Sequence, residues 1–194
     1  MSKRRARGSD GVRIIGGEWR GRRIHISEHS SVRPTPDRVR ETLFNWLADI
    51  LPGLRCLDLF AGTGVLGFEA LSRGAEKAWF VERDPALARG LEEQVTSLAA
   101  DARVIQGNAL EVLANPPSKP FDVVFVDPPY VMDLAEVLHK LPAWVARENL
   151  IYVERPTQRG GDPLADVVAL VPGAKVVKQG RAARVTHGLL RLEK

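Results

Sequence analysis

Apolar residues recur along this chain at two spacings, and the alternation between those spacings outlines its architecture. Val39, Leu43, Trp46, Leu47 and Ile50 repeat at three- and four-residue steps, the period of a helix that buries one face. Thr35 and Pro36 stand ahead of them as an N-cap with proline at the first helical position, and Pro52-Gly53 closes the segment, so a helix is predicted over 36–50. From Arg55 the pattern changes to short apolar runs: Cys56 to Phe60, Ala78 to Glu82, Arg103 to Gln106, Val123 to Val126, Leu150 to Glu154, Lys175 to Lys178 and Val185 to Leu192. Helical patterns fit between them at 65–73, 84–99, 108–114 and 133–146, the second opened by Asp84-Pro85 as cap and first turn. Strands that alternate with helices predict a parallel sheet covered on both faces. Gly180 and Arg181 separate the last two runs and no helix fits between them, so these are expected to pair as an antiparallel hairpin. The expected fold class is α/β, with a seven-stranded, mostly parallel sheet that contains one antiparallel strand.

Residues 12–26 lie outside that rhythm. Two β-rich runs flank Gly16-Gly17, with Gly21 beyond, and predict an N-terminal β-hairpin. Charge singles out the same region: residues 1–23 carry eight Lys or Arg against Asp10 and Glu18, a net of +6, whereas the whole chain is +4 and the other 171 residues therefore sum to −2. A basic segment on a near-neutral body points to a polyanionic partner, with Arg13, Arg20, Arg22 and Arg23 as the contacts. The division expected is a basic, polyanion-binding segment over 1–30 and a main domain over 31–194, and 194 residues suit one α/β domain with a small appendage. No apolar run approaches the roughly 20 residues of a membrane helix, and no signal-like stretch follows the basic start, so a cytoplasmic protein without membrane contact is expected. The one cysteine, Cys56, sits in an apolar run, reads as a buried inert thiol and leaves no cysteine-based metal site. His25, His29, His139 and His187 are scattered and read as surface or packing residues.

After the first core run comes Asp58-Leu59-Phe60-Ala61-Gly62-Thr63-Gly64-Val65-Leu66-Gly67, which contains G-x-G-x-x-G. Glu82 stands twenty residues past Gly62, at the end of the second strand, where a carboxylate accepts hydrogen bonds from ribose hydroxyls. NAD and S-adenosylmethionine both carry that ribose. Asp58 discriminates between them, because at this strand end it would repel a pyrophosphate and attract a cofactor with an ammonium and a sulfonium centre. Gly62 and Gly64 let the backbone come close, and the following helix N-terminus can face the cofactor's carboxylate. Asn108 and Ala109, after the third strand, are placed either to read the adenine ring or simply to cap a helix.

Directly after the fourth strand stands Asp127-Pro128-Pro129-Tyr130, a stiff turn at the end of the sheet where open α/β folds bind ligands. An exocyclic amino nitrogen of a base is a poor nucleophile, since its lone pair is delocalised into the ring. The Asp127 carboxylate and the Pro128 carbonyl can each accept one of its N–H groups and steady the charge that develops on methylation. Tyr130 offers a face for base stacking, worth about 1–3 kcal/mol. Cys56 is on the wrong strand for a covalent cytosine mechanism.

A family resemblance rests on several of these segments together: Arg13 to Gly17, Trp19 to Arg22, Arg33 to Phe44, the Leu57 to Gly67 loop, Glu69 to Ala75, and Asp127 to Tyr130. In these the chain resembles the bacterial ribosomal small-subunit methyltransferase D family, over most of residues 12–154. The resemblance implies a Rossmann-like class I methyltransferase that uses S-adenosylmethionine and no metal to make N2-methylguanine in 16S ribosomal RNA. It implies that Asp58, Phe60, Gly62, Gly64, Glu82 and Asn108 touch the cofactor, that Asp127 to Tyr130 hold guanine, and that the basic hairpin grips RNA. The Arg33 to Phe44 segment, with Thr35 and Arg38, would close the methionine end of the cofactor site. The expected partner is 16S ribosomal RNA or the assembling small subunit, met by a monomer. Rival readings are an adenine-N6 DNA or RNA methyltransferase using the same turn, a nicotinamide-dependent oxidoreductase using the glycine loop, and a non-catalytic ribosome-binding protein.

Overall fold

The computed structural model describes residues 11–25, 35–129, 132–158, 160–182 and 184–193. A short two-stranded ribbon, β1 (Val12–Arg13) and β2 (Arg23–Ile24), is followed by α1 (Asp37–Leu47). Strands and helices then alternate: β3 (Arg55–Asp58), α2 (Val65–Ser72), β4 (Lys77–Glu82), α3 (Pro85–Ser97), β5 (Ala102–Gln106), α4 (Ala109–Val112), β6 (Phe121–Val126), α5 (Leu134–Lys140), β7 (Val145–Pro156), α6 (Pro163–Ala169), β8 (Ala174–Ala182) and β9 (Val185–Leu192). The seven long strands lie in the order β5-β4-β3-β6-β7-β9-β8. β9 is antiparallel to both neighbours and the remaining pairs are parallel. The direction of winding reverses between β3 and β6, the switch point at which such sheets bind ligands beyond the carboxyl ends of their strands.

Side-chain alternation divides the core in two. Val123 and Phe125 of β6 pack with Val39, Leu43, Phe44 and Leu47 of α1 on one face, while Val124 and Val126 pack with Leu134, Val137 and Leu138 of α5 on the other. The ribbon joins the first face through Val12, Ile14, Trp19 and Ile24. Its strands are shorter than the sequence pattern suggests, because Glu18 to Gly21 turn inward and seat Trp19 in the core.

Polar contacts hold the ribbon as firmly as apolar ones. Glu69 of α2 accepts the Ile15 N–H at 2.9 Å, and Ser72 accepts the Trp19 N–H at 2.9 Å while donating to the Gly16 carbonyl at 2.6 Å. Gly17 has φ +75°, and a Cβ there would lie 1.8 Å from the Ser72 carbonyl oxygen, so the close approach requires glycine. Arg40, fully buried on α1, donates to the Arg13 carbonyl at 3.1 Å and pairs with Glu69 at 3.4 Å and Asp37 at 2.6 Å. Arg73 adds a second cation to Glu69 at 2.8 Å.

Three elements differ from the sequence expectation. The helix expected over 133–146 ends at Lys140, because Pro142 converts its last turn to a 3-10 helix over Leu141–Ala143 and β7 begins at Val145. α6 lies in a stretch for which no helix is predicted; Asp162 caps it by accepting the Leu164 and Ala165 N–H groups, with Pro163 in the first turn. β8 also runs through Gly180 and Arg181, so the hairpin with β9 turns later than expected.

Candidate active site

The glycine loop runs from the end of β3 into α2, and each glycine has its own reason. Gly62 and Gly64 take left-handed φ values of +52° and +73°, and a Cβ on Gly64 would lie 2.4 Å from Leu91. Gly67 brings α2 against β4, where a Cβ would come within 2.3 Å of the Phe80 ring. Glu82 closes the loop from the neighbouring strand: one carboxylate oxygen accepts the Gly62 N–H at 2.8 Å and the other accepts the Asp84 N–H at 2.8 Å. The twenty-residue spacing is thus a physical contact that shapes the loop, and each oxygen retains a lone pair for a ligand. Asp58 accepts the Gly67 N–H at 3.1 Å from the first turn of α2. Phe60 is half-buried against the second core face.

Asn108 is exposed and accepts the Leu110 N–H at 2.9 Å, which makes it the cap of α4; its amide N–H groups remain available. Ala109 is buried. Beyond β6, Asp127 is half-buried, Pro128 buried and Pro129 exposed, and the Pro129 carbonyl accepts the Met132 N–H at 2.8 Å, which closes the turn ahead of α5. Among the described residues no N–H donates to the Pro128 carbonyl. Tyr130 lies outside the described residues, as do Met1 to Asp10, Ile26 to Pro34 and hence His29 and Arg33.

Acidic side chains line the switch point. Glu82, Asp58, Asp127 and Glu154 stand near the carboxyl ends of four strands that are neighbours in the sheet, β4, β3, β6 and β7. None of the four forms an ion pair among the described residues, although Asp58 and Glu154 are each only 4% exposed. Burial pushes Asp58 up to about 8, against the pull of the Gly67 N–H and with repulsion from Asp127 and Glu82 adding to the rise. Burial and then Glu154 push Asp127 up to about 7. Glu154 is raised as well, chiefly by burial, with hydrogen bonds from Tyr152 and Thr35 opposing. Thr35, expected at the cofactor, is therefore directed to Glu154 at the other end of the row. Arg38 is exposed on the first turn of α1.

Glu154 was not singled out by the sequence, where it reads only as the end of an apolar run; counting alternate residues from Tyr152 would have placed it on the same face. His187 is 1% exposed and stacked on Trp46 at 5.4 Å between ring centroids, and burial pushes it below its ordinary value. Burial pushes the Cys56 thiol far up, with the charges of Asp122 and Asp58 adding to it, which suits an inert side chain.

Arg13, Arg20, Arg22 and Arg23 are all exposed on the ribbon, and none pairs with an acid among the described residues. A concavity of about 630 Å³ lies at the other end of the sheet, lined by Arg55, Lys77, Trp79, Arg103 and Lys119 among others. Three of its four cations already have partners within the chain: Arg55 lies over Phe121, Arg103 over Trp79, and Lys77 pairs with Asp101. No group of His, Cys, Asp and Glu suited to a metal occurs among the described residues, and none of their helices is long and apolar enough to cross a membrane.

Comparison with known proteins agrees with this geometry. The family described as Conserved hypothetical protein 95 matches residues 12–175. Ribosomal RNA small subunit methyltransferase D of Escherichia coli K12 is 46% identical over 164 residues, which cover 82% of each chain. The protein of the same name from Haemophilus influenzae is 47% identical over 150 residues, 74% of this chain and 78% of that one. Among solved structures, an Escherichia coli protein assigned as a methyltransferase superposes with TM-score 0.81 at 39% identity, over 94% of this chain and 98% of the other. A Haemophilus influenzae methylase follows with TM-score 0.74 at 37% identity, over 94% and 99%. A seven-stranded Rossmann-like sheet, a glycine loop, an Asp-Pro-Pro turn at the switch point and this level of identity agree, and the chain belongs to the ribosomal RNA small subunit methyltransferase D family.

Proposed function

We propose that the protein transfers a methyl group from S-adenosylmethionine to the exocyclic N2 of a guanine in 16S ribosomal RNA. The observation that carries this reading is the row of four carboxylates at the switch point without a basic partner among the described residues. Buried anions left unpaired are costly, and a cationic ligand relieves that cost. S-adenosylmethionine fits the donor set: its ammonium and sulfonium would meet Asp58 and the row, its ribose Glu82, its carboxylate the amide-rich start of α2 after Gly62 and Gly64, and its adenine Phe60 and Asn108-Ala109. Arg38, beside Thr35, would close the methionine end. The cofactor supplies an activated methyl group.

The chain's own residues do the rest. The Asp127 carboxylate and Pro128 carbonyl accept the two N–H groups of the target amine, and the Pro128-Pro129 turn keeps those acceptors fixed. Tyr130 stacks on the base. The target must leave its helix to reach them, so a backbone grip is required apart from base capture. Arg13, Arg20, Arg22 and Arg23 supply that grip, which divides the chain into an RNA-binding segment over 1–30 and a catalytic unit over 31–194. A monomer acts on 16S ribosomal RNA, free or in the assembling subunit; the names of the relatives support the choice of RNA.

Nucleoside mass spectrometry of 16S ribosomal RNA from a deletion strain tests the proposal. Loss of one N2-methylguanine, restored by the wild-type gene, is expected. Loss of N6-methyladenine instead would assign the same turn to the other amino group, and an unchanged RNA would overturn the reading.

A further inference from the structure

Glu154 closes the carboxylate row on the side away from the glycine loop, and the transfer described above gives it no task. Val153 of β7 is in register with Val126 of β6, so Glu154 and Asp127 emerge from adjacent parallel strands at the same level. They share a face: Phe125 and Tyr152, two residues earlier, belong to one core cluster, whereas Val126 and Val153 belong to the other. Strands in a sheet are about 4.8 Å apart, so the carboxyl groups are near neighbours. Glu154 is also anchored, since the Tyr152 hydroxyl donates to it at 2.8 Å and Thr35, just ahead of α1, hydrogen-bonds to it as well. Such a carboxyl group cannot swing away to relieve its repulsion from Asp127.

Among the described residues no cation pairs with either carboxylate. On β3 the facing titratable group is Asp58, another acid. On β9 it is His187, the register partner of Glu154, which burial keeps neutral. On α1 the buried Arg40 is engaged with Asp37 and Glu69, and Arg38 is exposed.

We infer that Glu154 is a positioning residue for methyl transfer: fixed by Tyr152 and Thr35, it makes Asp127 the stronger base and so the group that takes the proton given up by the target nitrogen. The inference rests on the role proposed for Asp127. As the nitrogen–carbon bond forms, the methyl carbon–sulfur bond breaks and its electron pair stays on sulfur; the nitrogen then sheds one proton to the Asp127 carboxylate, which passes it to solvent when the product leaves. An aspartate with ordinary acidity holds such a proton poorly, and a base matched to neutral pH holds it better. Two neighbouring buried carboxyls resist ionising together, in keeping with the value of about 7 at Asp127.

Carboxyl carbon-13 NMR of the free protein reads the pair without substrate. Wild-type Asp127 should titrate near 7, and in Glu154→Gln, which keeps an acceptor for Tyr152 and Thr35 but removes the charge, the midpoint should fall by about one pH unit, a tenfold change. Tyr152→Phe, which removes a donor that favours charged Glu154, should move Asp127 the same way by less, and it serves if the glutamine variant does not fold. The acid limb of kcat should follow the NMR midpoint downward, the plateau should fall, KM for the methyl donor should hold, and Glu154→Asp should restore part of the shift. An Asp127 midpoint indifferent to both variants, or a kcat limb that stays while the midpoint moves, would overturn the inference. A wild-type enzyme that methylates adenine would overturn the guanine reading alone, because the titration involves no base.

Discussion

The first face of the sheet carries two groups of buried carboxylates, and the chain treats them in opposite ways. Glu69 is fully buried between Arg40 and Arg73 and also accepts the Ile15 N–H, so its charge is answered from within the protein. Asp58, Asp127 and Glu154 lie beside one another with no ion pair among the described residues; Asp58 accepts only from a backbone N–H and Glu154 from hydroxyls, and Asp58 and Asp127 are pushed up to about 8 and about 7. The first group ties the basic ribbon to α1 and α2. The second leaves buried acids without a cation among the described residues, which is where the proposed cationic ligand would sit. A buried acid with cations is a clamp, and one without them marks where the molecule expects a partner.

Substitution at the two groups should therefore change stability in opposite directions. Glu69→Ala strands two guanidinium groups and should lower the unfolding free energy by about 3–5 kcal/mol, read from urea denaturation. Asp58→Asn keeps an acceptor for Gly67 and should raise stability at pH 8. The sign follows from linkage: between its ordinary value of 3.8 and about 8 the folded protein holds a proton that the unfolded chain has lost, so stability falls as pH rises through that window. The asparagine variant lacks this slope. Similar losses in both variants would erase the distinction.

Asp127→Ala comes next in size. It should reduce methyl transfer by about 10²–10³-fold, the scale of losing one preorganised group at the reacting centre, while affinity for S-adenosylmethionine stays within about tenfold. More than half of the activity remaining would remove Asp127 from the chemistry. Glu82→Ala should weaken cofactor binding by about 1.5–3 kcal/mol, since it loses a charged acceptor and frees the Gly62 N–H that shapes the loop; an unchanged dissociation constant would contradict this. The smallest effect concerns the ribbon. Replacing Arg20, Arg22 and Arg23 with alanine should leave cofactor binding intact and reduce the slope of log RNA affinity against log salt by about two to three, at about 0.7–0.9 per lost phosphate contact. An unchanged slope would move the RNA surface elsewhere, towards Lys175, Lys178 and Arg181 on β8, which are exposed.

Much of the fold is legible in the sequence because it depends on local periodicity and short-range caps. Asp84-Pro85 announced α3, and the structure has Asp84 accepting the Ala86 and Leu87 N–H groups. Asp162-Pro163 carries the same signal, but seven residues behind Gly160-Gly161 give too little periodicity to distinguish a helix from a loop. Leu138, Leu141, Trp144 and Val145 continue one apolar pattern across the end of α5 because all four enter the same core, so period alone ran the helix four residues past the proline. Glycine spacing located the loop between β3 and α2, and the twenty-residue step located Glu82 beside it. What sequence spacing could not supply was register between strands distant in the chain, and that register places Glu154 beside Asp127 and sends Thr35 to it. Neither the Arg40–Glu69–Arg73 clamp nor the seating of Trp19 has a signature in spacing.

Calorimetric titration of the free protein with S-adenosylmethionine at pH 7, repeated in buffers of different ionisation enthalpy, tests the central claim most directly. If the unpaired row is built for a cationic ligand, the ligand's charge must lower the values of Asp58 and its neighbours, so binding should release protons, affinity should rise with pH towards 8, and NAD should not bind. Binding of S-adenosylmethionine with no proton release, or with proton uptake, would contradict the account.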